Sequence, residues 1–267
     1  MNALEDITAA NRASWNSIHP ARPGHPPAFL AAGGTALQPE ELAAAGDVTN
    51  RRLLHVACSC GDEALSWAAQ GATVTGIDIS EVAIAQARAK SEATGIHVDF
   101  HRADLFDLPP ELVDFDLIYL SWGAICWVPD LTRWAAVIAD RLAPGGAVLL
   151  AEHHPVWEVL TAKDPSTLEL TADYFGRTTP RAVIENSKLP TGARDTPEPP
   201  PFSAYIWPAA DVITALLAAG LCLTHFSESP ASHSYPALGD RAEWLPATYL
   251  VRAERDVSRG TSPRVPK

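Results

Sequence analysis

The chain has 267 residues, 47% of them hydrophobic, enough to bury a full core as one large domain or two small ones. Thirty-two acidic side chains against twenty basic ones leave a formal charge of -12, which repels phosphate backbones and argues against nucleic acid as a partner. The longest apolar runs, such as 212–219, are far shorter than the roughly 20 residues a bilayer demands. The four cysteines show no framework spacing and no N-terminal apolar run carries a cleavage site, so no membrane contact and a reducing, cytoplasmic setting are expected.

Leu4 to Ser17 has the spacing of a short helix, and the Pro/Gly-rich stretch 19–27 that follows excludes one. From Arg52 onward short β-type runs alternate with helix-period segments, the pattern of βαβ units and a parallel sheet. Strands are expected at 53–57, 73–77, 98–102, 115–120 and 147–151, with helices at 62–70, 81–93 and 130–142 between them. Ser80 stands as a helix cap, and Gly71 and Gly95 stand as stops. From 152 to 208 the alternation dissolves into an irregular, Pro-rich segment with scattered aromatics. A helix at 208–219 and strands at 221–226 and 247–253 complete the pattern, and 256–267 reads as a disordered tail.

The informative segment is Leu53-Leu54-His55-Val56-Ala57-Cys58-Ser59-Cys60-Gly61-Asp62, with Asp78 seventeen residues after Gly61 in Gly76-Ile77-Asp78-Ile79-Ser80. A strand, a turn of small residues, a helix start and an acid closing the next strand form a nucleotide-binding arrangement, in which the carboxylate can accept bonds from both ribose hydroxyls. An ordinary strand-to-helix turn is the alternative. A dinucleotide fold wants three glycines to bring pyrophosphate against the helix N-terminus, and only Gly61 is present. Asp62 and Glu63 would also repel a pyrophosphate there, whereas a cationic sulfonium without phosphate meets no such penalty.

Across roughly 52–253 the sequence resembles the class I S-adenosylmethionine-dependent methyltransferases. By that pattern Asp78 matches the ribose acid and Asp104 the adenine-edge residue, with Leu105 near the ring. The strand Phe115-Asp116-Leu117-Ile118-Tyr119 and the turn Leu142-Ala143-Pro144-Gly145-Gly146 are also typical. More narrowly, Asn11-Arg12-Ala13-Ser14-Trp15, Leu54-His55-Val56-Ala57-Cys58 and Cys126-Trp127-Val128-Pro129-Asp130 resemble a bacterial small-molecule subgroup. The departures are His55 where an acid is usual, and Ala57 and Ser59 in place of two glycines. Both remain small enough for close approach if positive φ is not required.

The resemblance implies an α/β, Rossmann-like, seven-stranded and mostly parallel sheet with its last strand antiparallel. It also implies a single domain over 1–255, with 1–45 as an N-terminal lid and 153–207 as a substrate cap. S-adenosylmethionine is the expected cofactor, held by Trp15, Ala57, Ser59, Gly61, Asp78 and Ile79, and by Asp104, Leu105 and Ser121. His153 and His154 follow the fifth strand, at the edge where open α/β sheets bind ligands. His154 is taken as the base or orienting group, with a structural loop histidine as the alternative. Trp122, His153, Tyr174 and Trp207 are expected around the substrate, although Tyr174 and Trp207 could instead form a satellite core. Cys58 and Cys60 alone do not make a zinc site, and no metal is expected.

The expected reaction is methyl transfer to an oxygen or nitrogen of a small molecule, with a planar natural-product intermediate favoured by the aromatic-rich insertion. The same residues are compatible with a non-methylating reaction on this fold or with a cofactor-binding module. Oligomeric state is not legible.

Overall fold

The computed structural model describes residues 3–176, 203–230 and 234–257. Helices Ala3–Ile18 (α1), Pro27–Ala31 (α2) and Pro39–Ala45 (α3) precede the alternating part. That part runs Arg52–Val56 (β1), Asp62–Ala69 (α4), Thr73–Asp78 (β2), Glu81–Thr94 (α5) and Asp99–Arg102 (β3). It continues with Phe115–Ser121 (β4), Leu131–Arg141 (α6) and Leu142–His153 (β5). After β5 come Pro155–Val159 (α7), Leu160–Asp164 (β6), Thr167–Leu170 (β7), Ala209–Ala218 (α8), Leu221–Ser229 (β8) and Thr248–Arg255 (β9).

Seven strands form one sheet in the order β3-β2-β1-β4-β5-β9-β8. β9 runs antiparallel to β5 and β8, and the β1–β5 pairings are parallel, as expected. Both faces are covered, so the central strands carry unbroken apolar runs. Along β4 the side chains alternate: Leu117 and Tyr119 join Trp67 and Phe100 on one face, and Ile118 and Leu120 join Trp134 and Val148 on the other. Local caps set the helix ends. Ser80 Oγ accepts the Ala83 N–H at 3.1 Å to start α5, which stops at Gly95 with φ 69°. Asp130 caps α6 in the same way, through the Arg133 N–H at 2.9 Å.

The chain steps outward from β1 to β3, then returns to β4 on the other side of β1. The resulting switch point between β1 and β4 opens a crevice at the strands' carboxyl ends.

Two expectations change. β5 begins at Leu142 and not at Ala147: Leu142 pairs with Phe115, the Pro144-Gly145-Gly146 turn bulges out, and the ladder resumes at Ala147 opposite Leu117. The segment after β5 is not irregular at its start, because α7 leads into the β6–β7 hairpin. Leu160 and Ala162 of the hairpin pack with Trp157 on Tyr235, Leu238 and Ala242, a small satellite cluster. Residues 177–202 of the expected cap and 258–267 of the expected tail lie outside the described residues. Among the described residues no helix is long and apolar enough to cross a membrane.

Candidate active site

The β1–α4 bend is where the sequence departs from glycine, and its backbone takes the conformation that glycine would favour. Ala57 has φ 56° and Ser59 φ 50°, both in the left-handed region, ahead of Gly61 at φ 88°. The left-handed conformation costs an L-residue ~1–2 kcal/mol. Trp122, after β4, has φ 39°. Among the described residues the other non-glycine positive φ values belong to Asn50 and Asp114, types that tolerate the region. The strained residues of other types, Ala57, Ser59 and Trp122, therefore all line one cavity.

That cavity, of about 770 Å³, lies over the carboxyl ends of β1, β2, β4 and β5. Asp78, buried at the end of β2, spans the bend: Oδ2 accepts the Ser59 N–H at 2.9 Å and Oδ1 the Ser80 N–H at 2.8 Å. Burial raises its pKa, opposed by these hydrogen bonds and by the charge of Arg22. A carboxylate has about four acceptor sites, so the two N–H bonds leave capacity facing the cavity. Ile79, Asp104, Leu105 and Ser121 line the same end. Asp104 Oδ1 accepts the Phe106 N–H at 2.9 Å, which fixes the turn after β3. His55, on β1, is buried and does not line the cavity, with Nε2 3.4 Å from Ser121 Oγ. Burial pushes its pKa down to about 3, so it is a neutral ring where an acid is usual.

Gly61 does not line the cavity. A Cβ there would lie 2.9 Å from both Ala87 Cβ and Phe100 Cζ, so this glycine serves close packing of the α4 start on α5 and β3.

Polar pins hold the N-terminal segment against this end. Asn11 bonds the Ser203 backbone both ways, at 2.9 and 2.8 Å. Arg12 pairs with Glu81, and Asn16 Oδ1 accepts from Ser80 Oγ at 2.6 Å. Lys90 forms a buried pair with Asp62 and also donates to the Pro23 carbonyl at 2.9 Å, while Asp62 Oδ2 accepts the His25 N–H at 2.7 Å. Trp15, Arg22 and Gly24 thereby become cavity wall. The Arg22 guanidinium lies over the Trp15 ring, 5.2 Å from its centroid.

The opposite wall comes from the ends of β4 and β5. Glu152, 2% exposed, takes the Gly123 N–H and the His153 N–H at 2.7 Å on Oε1, and the Ile125 N–H at 2.9 Å on Oε2. One buried carboxylate thus ties the loop after Trp122 to the His153 backbone. Trp122 and His153 line the cavity.

His154 does not. Its Nδ1 accepts the Val156 N–H at 3.1 Å, capping α7, which leaves the ring proton on Nε2 to bond Glu228 Oε1 at 2.8 Å. With both nitrogens engaged and the ring buried beside Tyr249, it is a structural histidine. Trp207 is also turned away: Nε1 donates to the Val128 carbonyl at 2.8 Å, and the ring stacks on Tyr205. Tyr174 packs edge-on to Phe175 outside the cavity lining. The sequence reasoning left out Arg22, Glu63, Trp157 and Glu158, which line the cavity, and Glu152, which fixes its wall. Glu152 was legible only as an acid at a strand end.

Residues 53–146 match the family model described as a methyltransferase domain. Over those residues the chain has the sequence of a methyltransferase domain, and its sheet has the fold of the S-adenosylmethionine-dependent methyltransferases. It is 33% identical over 105 residues to a ubiquinone biosynthesis O-methyltransferase of Aromatoleum aromaticum, covering 39% of this chain and 44% of that one. It is 35% identical over 107 residues to a demethylmenaquinone methyltransferase of Thermus thermophilus, covering 39% and 48%. The chain thus spans about half the length of the curated relatives it matches. An S-adenosylmethionine dependent methyltransferase from Mesorhizobium loti superimposes with a TM-score of 0.63 at 25% identity, over 81% of this chain and 96% of that one.

The methyltransferase domain's donor set fits an adenosyl sulfonium better than a dinucleotide. A diphosphate at the bend would face Asp62, Glu63 and Asp78, with Arg22 as the cation. Burial pushes Glu63 up to about 7, and the charges of Asp62 and Glu41 add to the rise. Small side chains at Ala57 and Ser59 leave room for a ligand, and two carboxylates, Asp78 and Asp104, stand where hydroxyl and amine donors would bind.

Proposed function

We propose that this chain transfers a methyl group from S-adenosylmethionine to an oxygen or nitrogen of a small molecule. The observation that carries the reading is the strained Ala57–Ser59 bend tied to the Asp78 carboxylate at the edge of a two-ended cavity. S-adenosylmethionine, when bound, supplies an electrophilic methyl on a sulfonium whose thioether leaves without protonation.

The chain's own residues have three tasks. Asp78 accepts the ribose hydroxyls, with Ile79, Asp104 and Leu105 around the adenine and Ser121 at the β4 end. Ala57 and Ser59 keep the bend close to the ligand, and Arg22, the cation in the wall, faces the amino-acid end. The opposite wall orients the acceptor in line with the methyl, which is the larger part of catalysis when the leaving group is already good. We assign 1–45 as the segment that closes over the cofactor and the residues after β5 as the acceptor side. Trp157 on this side, with Trp122, Trp127 and His153 at the ends of β4 and β5, favours a planar metabolite.

The test is incubation of the intact chain with methyl-labelled S-adenosylmethionine and a panel of small hydroxylated and amino acceptors. Label in product extracts supports the reading. Tight cofactor binding with no label in any product supports instead a non-methylating reaction on the same fold.

A further inference from the structure

Within the methyl-transfer reading, which it rests on, the structure assigns a second chemical role: we propose that His153 Nε2 is the base for a flat, uncharged hydroxyaromatic acceptor held against a tryptophan-lined wall. His153 lines the cavity, and its ring lies 4.7 Å from that of Trp157 and 5.8 Å from that of Trp122, centroid to centroid. Its Nδ1 is buried with no hydrogen-bond partner. For His153 to act as a base toward the cavity, the ring proton sits on the enclosed Nδ1. Nε2 then holds the lone pair. It is not among the buried unpartnered atoms and has no hydrogen-bond partner among the described residues, so it is the nitrogen open to the cavity.

The surroundings suit the protonated product of that role. Glu152, the residue before it, is held by three backbone N–H groups, and its carboxyl senses the His153 charge. An imidazolium formed here is offset by that carboxylate and by the two indole faces. A second aromatic pair in the cavity lining, Trp15 and Trp127, meets edge to face at 5.1 Å. Four tryptophans and one histidine in the lining suit a flat ring with a hydroxyl. An anionic acceptor finds Arg22 as its cation, and Asp78 and Glu63 already act on that charge.

The step balances without another reactant. The acceptor oxygen attacks the methyl carbon, the carbon–sulfur pair stays on sulfur, and the hydroxyl proton moves to His153 Nε2. The sulfonium's positive charge becomes the imidazolium's, and the proton is released to solvent after the product leaves.

The experiment uses the intact chain, labelled S-adenosylmethionine, and a series of ring-substituted 2-naphthols whose hydroxyls differ in acidity. Wild type should methylate 2-naphthol. His153→Ala should lower kcat by about a hundredfold, with its affinity for S-adenosylhomocysteine unchanged, and added imidazole should restore part of the rate. The loss should shrink as the naphthol becomes more acidic, because an ionised acceptor needs no base. His153→Gln should behave as His153→Ala does, without the imidazole-sized space. An equal loss across the series, or no loss, overturns the base. Wild type that binds S-adenosylhomocysteine but methylates no naphthol overturns the acceptor class. If S-adenosylhomocysteine itself gives no binding heat, the failure lies in the methyl-transfer reading beneath.

Discussion

The cavity has two ends built in different ways. At one, successive strand ends supply Ala57, Ser59, Asp78 and Ser121, and the bend between β1 and α4 is held in a strained conformation by the sheet behind it. The rest of the wall is assembled from pieces far apart in sequence: Trp15 and Arg22 of the N-terminal segment, which lies against the bend, and, opposite, Trp122 and Trp127 after β4, His153 at the end of β5 and Trp157 beyond it. Those pieces are held by buried polar pins, of which Lys90–Asp62, Asn11–Ser203 and Glu152 are the clearest. The contrast teaches that one sheet supports both ends but specifies only the first. The second depends on a few charged or amide groups whose loss would release a whole segment.

The largest effect that probes this contrast is expected at a pin. Lys90→Met leaves the Asp62 carboxylate buried without its cation, and removing one partner of such a pair costs ~3–5 kcal/mol. Urea unfolding of the variant should show a loss of that size, and limited proteolysis should find new cleavage between residues 17 and 27. An unchanged midpoint with an uncut segment would mean that the pin does not hold this wall.

A smaller effect of opposite sign is expected at the bend. Ala57→Gly and Ser59→Gly each relieve left-handed strain of ~1–2 kcal/mol while adding unfolded-state freedom of ~0.4–1 kcal/mol. Each variant should therefore gain up to ~1.6 kcal/mol in the same urea assay. A loss of stability in both would show that the bend is not strained, and the distinction between the two ends would fall.

The same contrast explains what the sequence disclosed. Strands, helices and the order of motifs were legible because both-face burial and capping act locally: Ser80, Gly95 and Asp130 each mark an end by their own hydrogen bond or dihedral. Asp78, Ile79, Asp104, Leu105 and Ser121 follow from strand ends, and the structure brings them to one cavity. Gly61 belongs to the motif, yet its missing Cβ serves packing on Ala87, which no spacing rule separates from ligand approach. The adjacent pair His153-His154 shows the limit most sharply. Successive residues at a strand end point to opposite sides, so one ring faces Trp157 in the cavity and the other caps α7 against Glu228. Sequence placed both at the right edge, and only the register against β9 decides between them. Arg22 sits in a Pro/Gly-rich stretch whose course is set by Lys90 and Asp62, and no local signal announces that.

The central claim is that the bend and Asp78 together hold an adenosyl sulfonium or its thioether product. Titration calorimetry of the intact chain with S-adenosylhomocysteine, repeated on Asp78→Ala, addresses it directly. Wild type should give saturable heat, and the variant should bind more weakly by about 1.5–3 kcal/mol, the range for hydrogen bonds to a charged group. Equal affinity in the two proteins, or no heat from wild type with either S-adenosylhomocysteine or S-adenosylmethionine, would contradict it.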